Sequence, residues 1–290
     1  MSYTLIINPN SGKDRSKEKL PDIFKEYNHP VKILFTEYAG HASELARMEV
    51  ENNTANVIAA GGDGTINEVA SQLVNSQTNL GIIPLGSGNG FARAVGIPME
   101  SEKAINVLFQ GHTRAFDAGK INDKYFFAVA GVGLDASIGR RFQEYHTRGP
   151  LPYFYLGIKS YFEYGYPGFK IVTNKTKMKV NPLLITIANA PQFGNNAFIA
   201  PQADMHDGLL DICILNKMNV IKSVAALVKL FNGKIQTVAD YRSLKTDHAE
   251  IYTENNPLVY HIDGEPHITD DKIRIGIIKN AINVLTPGKV

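Results

Sequence analysis

The stretch "ANVIAAGGDGTINEVASQLV", residues 55–74, narrows the fold more than any other part of this chain. A short apolar run breaks at a pair of glycines. Ile66, Val69, Ala70, Leu73 and Val74 then recur at helical spacing, so a strand gives way to a helix within a few residues. The same grammar repeats from residue 1 to about 115. "YTLIINP" precedes Leu20, Ile23, Phe24 and Tyr27, and "VKILFT" precedes Leu45 and Met48. "LGIIP" precedes Phe91, Ala94 and Val95, and "SEKAINVLFQG" reads as a further helix. Strands alternating with helices build a parallel sheet covered on both faces, and the loops leaving the carboxyl ends of its strands share one edge. "NPNSGK", "TEYAGHA", "GGDGT" and "LGSGNG" are therefore expected to line one crevice.

Beyond residue 115 the pattern changes to short strands between turn signals, as in "FKIVTNKTKMKV", "PLLITIANA", "LLDICIL" and "KIRIGII". The predicted organisation is an α/β domain with a parallel sheet over 1–115, which the tail 280–290 is a candidate to complete. A mostly β, sandwich-like domain over 116–279 follows, with two helical inserts. One insert covers roughly 134–165. The other is "NVIKSVAALVKLFNG", where Val220, Val224, Leu227, Val228 and Phe231 form a stripe closed by Asn232 and Gly233.

Bulk properties exclude little but usefully. A net charge of +2 over 290 residues gives no basic footprint for nucleic acid. The lone Cys213, inside an apolar run, permits no intrachain disulfide and reads as a small buried hydrophobe in a reducing compartment. The first residues carry no secretory pattern, and no apolar run reaches the roughly 18 residues of a membrane span. The expectation is a cytoplasmic protein, peripheral to the inner face of the membrane.

A glycine-rich turn from strand to helix lets bare backbone N–H groups approach an anion, and the helix dipole adds to the attraction. "GGDGT" is shaped for phosphate. Asp63 makes sense beside such a site if a divalent cation lies between them, or if the acid takes a proton from a hydroxyl. A Walker loop needs a first glycine and a final hydroxyl that "NSGKDR" lacks, and a dinucleotide fingerprint needs glycine where Asn67 stands. "PLGSGNGFAR" is a second turn of the same kind, and "NPNSGK" a third polar loop with Lys13 as a candidate phosphate contact.

"IINPNSGK", "GGDGTINEV", "PLGSGNGFAR", "AGVGLDA", "ADMHDGLLD" and "HIDGEPH" occur in the order seen in the diacylglycerol kinase catalytic-domain family, which includes bacterial lipid kinases and sphingosine kinases. The chain resembles that family over nearly its whole length. The resemblance implies an ATP-dependent lipid kinase with a NAD kinase/diacylglycerol kinase-like fold and the active site between its domains. It assigns ATP contacts to Asn8, Ser11, Gly12, Thr36, Gly61, Gly62, Asp63, Gly64, Thr65, Glu68 and Ser87, with Glu68 near the ribose. Asp63 and Glu265 are both candidates for the base that accepts the lipid hydroxyl's proton. Asp204 and Asp207, with the carbonyl of Leu209, are implied as ligands of a structural Mg²⁺, although His206 replaces a more usual acid.

The resemblance departs at Gly90, where bacterial members carry aspartate; "GSGNG" looks more like the sphingosine kinase loop. Diacylglycerol is the leading acceptor and a long-chain base the second. Other readings are a NAD kinase-like enzyme, which shares "GGDGT", and a catalytically silent lipid-binding protein. Aromatic and basic residues between Phe142 and Phe169, Tyr153 and Phe154 among them, suit a headgroup layer at the acyl-chain entrance. The expected partner is a lipid substrate at the membrane surface, with a second copy of the chain as a candidate.

Overall fold

The computed structural model describes residues 2–12, 20–24, 30–134, 165, 167–253 and 257–288. The chain divides into two compact units, Met1–Ala118 with Ile278–Val290, and Gly119–Ile277.

The first unit holds β1 (Tyr3–Ile7), β2 (Val31–Phe35), α1 (His41–Glu51), β3 (Asn56–Gly61), α2 (Asp63–Leu73), β4 (Asn79–Pro84), α3 (Gly90–Ala94) and α4 (Ser101–Gln110). Its strands pair in parallel in the order β2-β1-β3-β4. Leu5, Ile58 and Ile83 are fully or almost fully buried on one face, in a single cluster with Leu20, Phe24, Ile105 and Leu108, and Ile6, Val57 and Ile82, which alternate with them, are fully buried on the other. Burial of both sheet faces explains why these strands read as unbroken apolar runs. A buried carboxylate braces the sheet's open end: Glu49 of α1 accepts from Thr4 (2.6 Å), Thr54 (2.7 Å) and Lys32 (2.6 Å). The strand next to β4 comes from much later in the chain. Asn283 and Val284, near the end of the long strand Ile273–Thr286, pair in parallel with Asn79 and Leu80.

The second unit opens with the end of β5 (His112–Ile121) and continues with β6 (Lys124–Phe126), β7 (Val129–Gly133), β8 (Phe169–Thr173), β9 (Lys177–Val180), β10 (Pro182–Ala188), β11 (Leu210–Asn216), α5 (Val220–Phe231), β12 (Tyr241–Thr246), β13 (His248–Thr253), β14 (Leu258–Ile262) and β15 (Glu265–Thr269). Ile273–Thr286 is β16. One sheet runs β12-β11-β10-β7-β14-β15. Opposite it, β13 lies between β8 and the first residues of β16, with β9 outside β8. Ile185, Ile187, Ile212 and Val132 from the first sheet meet Ile171, Ile251 and Ile275 from the second, which makes a β sandwich.

Cys213 is buried as expected, with the Tyr241 hydroxyl 3.0 Å from its sulfur, and burial pushes its thiol up to about 12. Among the described residues, no helix is long and apolar enough to cross a membrane.

Candidate active site

Each glycine loop of the first unit leaves the carboxyl end of a parallel strand, and hydrogen bonds tie the loops together. After β1, the Asn8 amide donates to Thr65 Oγ1 (2.9 Å), and Ser11 Oγ accepts the Gly62 N–H (3.2 Å). Gly12 has φ +73°, and a Cβ there would lie 2.7 Å from the Leu85 carbonyl oxygen, so only glycine fits this approach to the loop after β4. After β2, the buried Thr36 donates its backbone N–H to the Ile7 carbonyl (2.9 Å). Glu68, on α2, reaches the same region through Oε1, which accepts the Gly40 N–H (3.0 Å).

The tightest junction joins "GGDGT" to "GSGNG". Gly62 and Gly86 pass so closely that a Cβ on Gly86 would lie 2.7 Å from Gly62 Cα. Asp63, the first residue of α2, turns both carboxylate oxygens onto the neighbouring loop. Oδ2 accepts the Asn89 N–H (2.8 Å) and Oδ1 the Gly90 N–H (2.7 Å). The carboxylate thus caps the short helix α3 from outside its own segment. A Cβ on Gly88 would lie 2.8 Å from Asp63 Oδ2, which explains the spacing of the glycines there. Asn89 takes a left-handed φ of 52°, donates to the Gly86 carbonyl (2.7 Å) and keeps a buried Oδ1 without a hydrogen-bond partner. The N-cap of α2, Gly62, has no side chain of its own to cap the helix, so the positive end of the α2 dipole lies at this junction, where an anion would be favoured. Ser87 is exposed at the tip of the second loop. Lys13 lies outside the described residues, as do Tyr153, Phe154 and almost all of the aromatic insert.

Glu265 belongs to the second unit. Asp263 and Gly264, both at positive φ (47° and 92°), form the two-residue turn between β14 and β15, and Glu265 is the first, exposed residue of β15. The turn is anchored by Asp263, whose carboxylate accepts backbone N–H groups of Phe127 (3.0 Å), Ala128 (2.9 Å) and Val129 (3.0 Å). Asp263 also donates its own N–H to the Val129 carbonyl (2.8 Å). Sequence reasoning took Glu265 from "DGE" and missed Asp263. "DG" between two alternating runs was the available signal, because it specifies a hairpin turn with both residues at positive φ.

Asp204, Asp207 and Leu209 share one turn before β11. Asp204 Oδ1 accepts the His206 N–H (3.0 Å) and Asp207 Oδ1 the Leu209 N–H (2.9 Å). The other oxygen of Asp207 lies 2.5 Å from Lys245 Nζ, which also approaches the buried Asp211 at 3.5 Å. Burial raises the Asp211 carboxyl above the usual range. For Lys245, burial works against the charge, but Asp207 and Asp211 more than offset it and leave its pKa above the ordinary value. The protein thus supplies its own cation at the place where the resemblance implies a metal.

Comparison with known proteins matches two family models along the chain. Residues 2–121 match the diacylglycerol kinase catalytic domain, and residues 128–286 match the YegS C-terminal NAD kinase beta sandwich-like domain. A diacylglycerol kinase of Bacillus subtilis (strain 168) is 30% identical over 247 residues, covering 79% of this chain and 78% of its own length. A protein of Chromohalobacter salexigens named "Probable lipid kinase YegS-like" is 28% identical, covering 98% of this chain and 92% of its own. The crystal structure of a diacylglycerol kinase from Bacillus anthracis str. Sterne shares the fold at a TM-score of 0.72 and 20% identity, covering 98% of this chain and 96% of that one.

Proposed function

Because this chain belongs to the diacylglycerol kinase catalytic-domain family, and so is a lipid kinase, we propose that it transfers the γ-phosphate of ATP to the free hydroxyl of diacylglycerol, giving phosphatidic acid. The observation that carries the reading is the junction of the two glycine loops. Asp63 fastens "GSGNG" to "GGDGT" through two backbone N–H groups, at the N-terminus of α2. That edge of the sheet is an anion cradle built before any ligand arrives, which suits a triphosphate.

In this reading Asp63 is the clamp that shapes the cradle, since both of its oxygens already accept hydrogen bonds. Glu265 is the base that takes the hydroxyl proton as the acceptor oxygen attacks, and Asp263 holds the turn from which it projects. Phosphoryl transfer has a loose transition state, so positioning and charge neutralisation are what the protein has to supply. Mg²⁺ bound to the nucleotide would supply further neutralisation of phosphate charge. No step is assigned to a metal at the Asp204–Leu209 turn, where Lys245 already balances Asp207.

The test offers purified protein with labelled ATP and Mg²⁺ diacylglycerol, ceramide, sphinganine, a polyprenol and NAD in parallel. Label in phosphatidic acid is expected. Transfer to NAD alone would overturn the assignment. Glu265→Gln is expected to lower kcat by at least about a hundredfold with little change in nucleotide affinity; a variant with near-normal turnover removes Glu265 from the mechanism. A long-chain base is the second reading, favoured by Gly90, and label in sphinganine would select it.

A further inference from the structure

Helix α5 is built inside out. Val220, Ile221, Val224, Leu227, Val228 and Phe231 occupy one continuous arc of its surface, and all six are exposed, Ile221 to 82%, Val224 to 58% and Val228 to 56%. The helix is attached by its narrow side, through the buried Ala226 and the half-buried Leu230, whose carbonyl accepts the Phe198 N–H (3.0 Å). Its ends are fixed as well. Asn219 accepts the Lys222 N–H (2.9 Å), and the Lys229 ammonium donates to the Thr237 carbonyl (3.2 Å). An apolar arc held firmly outward is a surface for a partner rather than a core face out of place.

Charge identifies the partner. Between Asp211 and Asp240 the only charged residues are Lys217, Lys222, Lys229 and Lys234. Lys222 and Lys229 lie beside the arc, beyond Ala225, and the pairing of Lys222 with Asp240, at 3.6 Å with the lysine well exposed, is weak. A second copy docking arc to arc would bring the lysines together, with Asp240 the one carboxylate of this segment beside them. An apolar stripe bordered by lysines instead matches the interface of an anionic bilayer, where the aliphatic side chains enter the acyl boundary and the ammonium groups meet lipid phosphates.

We propose that α5 is the element by which this protein sits on anionic membranes. The choice of a bilayer as the occupant rests on the lipid-kinase reading, but binding through α5 requires no catalysis. The chain contains no tryptophan, so Val228→Trp places a single reporter on the arc. Its emission is expected to be that of a water-exposed ring in the free protein, and to shift to the blue with phosphatidylcholine vesicles containing phosphatidylglycerol but not with phosphatidylcholine alone. The double variant Ile221→Ser/Val224→Ser is expected to lose at least about tenfold in vesicle affinity at an unchanged melting temperature. If that variant unfolds, Lys222→Glu/Lys234→Glu reads the same surface through loss of the preference for anionic vesicles.

Emission already blue without vesicles, turning red on dilution, would give the arc to a second copy and overturn the proposal. Wild-type vesicle affinity in a folded double variant would overturn it too. A protein that phosphorylates micellar lipid but ignores vesicles contradicts this surface alone. One that binds vesicles through α5 yet phosphorylates no lipid supports the surface and contradicts the kinase assignment.

Discussion

Asp63 stands where local sequence offers two roles, metal partner or base, and its contacts add a third. Its partners Asn89 and Gly90 are 26 and 27 residues away, so no motif window could display the clamp. What the residues did display was the need for glycine, now explained by close approaches at Gly12, Gly86 and Gly88. Asp63→Asn puts an amide NH₂ against a backbone N–H at one of the two contacts. It is expected to cost about 1–3 kcal/mol of stability and to weaken ATP binding, read by thermal melting with and without nucleotide. A variant that melts and binds like the parent would show that the two loops hold each other without the carboxylate.

Helix α5 and the hairpin β14–β15 illustrate how far periodicity reaches. The stripe Val220–Phe231 was legible as a helix, ending with Gly233 at φ 66°. Its orientation was not, because spacing gives which residues share a face and says nothing of whether that face is covered. In the hairpin, His267 of β15 lies across from Tyr260, with ring centroids 5.3 Å apart. Burial, the nearby Lys124 ammonium and His261 lower its pKa from 6.5 to about 4. The folded form therefore keeps His267 neutral where an unfolded chain would protonate it. Its contribution is complete above pH 6.5 and is lost as pH falls towards 4. His267→Gln should flatten the loss of melting temperature across that window, and an unaltered pH profile would place the titration elsewhere.

At the Asp204–Leu209 turn, where the resemblance implies a metal, Lys245 of β12 sets its ammonium against Asp207. EDTA should move the wild-type melting temperature by less than about 1 °C, while Lys245→Met is expected to cost about 1–2 kcal/mol, solvent screening the partly exposed Asp207 contact and the buried Asp211 losing its neighbouring charge. A clear loss of stability in EDTA would return the turn to a metal.

The change of texture near residue 115 was visible because covered parallel strands and sandwich strands carry different apolar patterns. Strand order was less visible, since β10 lies between β7 and β11, and β14 reaches back to β7 across most of the second unit. The long β16 belongs to both units: Ile273 and Ile275 lie in the sandwich core, while Val284, fully buried, pairs beside β4 in the first unit. Val284→Asp puts an unpaired carboxylate into the parallel sheet, far from every glycine loop in sequence. It is expected to cost more than about 3 kcal/mol and to abolish nucleotide binding, measured by calorimetry. Retained affinity in a folded variant would show that the cradle does not depend on that strand.

Synthesis on the ribosome runs from the amino end, and the first unit needs a strand that emerges only after all of Gly119–Ile277. Until then the flank of β4 is an open edge of the kind that recruits foreign strands. A nascent chain of this protein must shelter that edge through most of its translation, so a ribosome stalled before Asn283 would release a species prone to aggregation, although its glycine loops are complete.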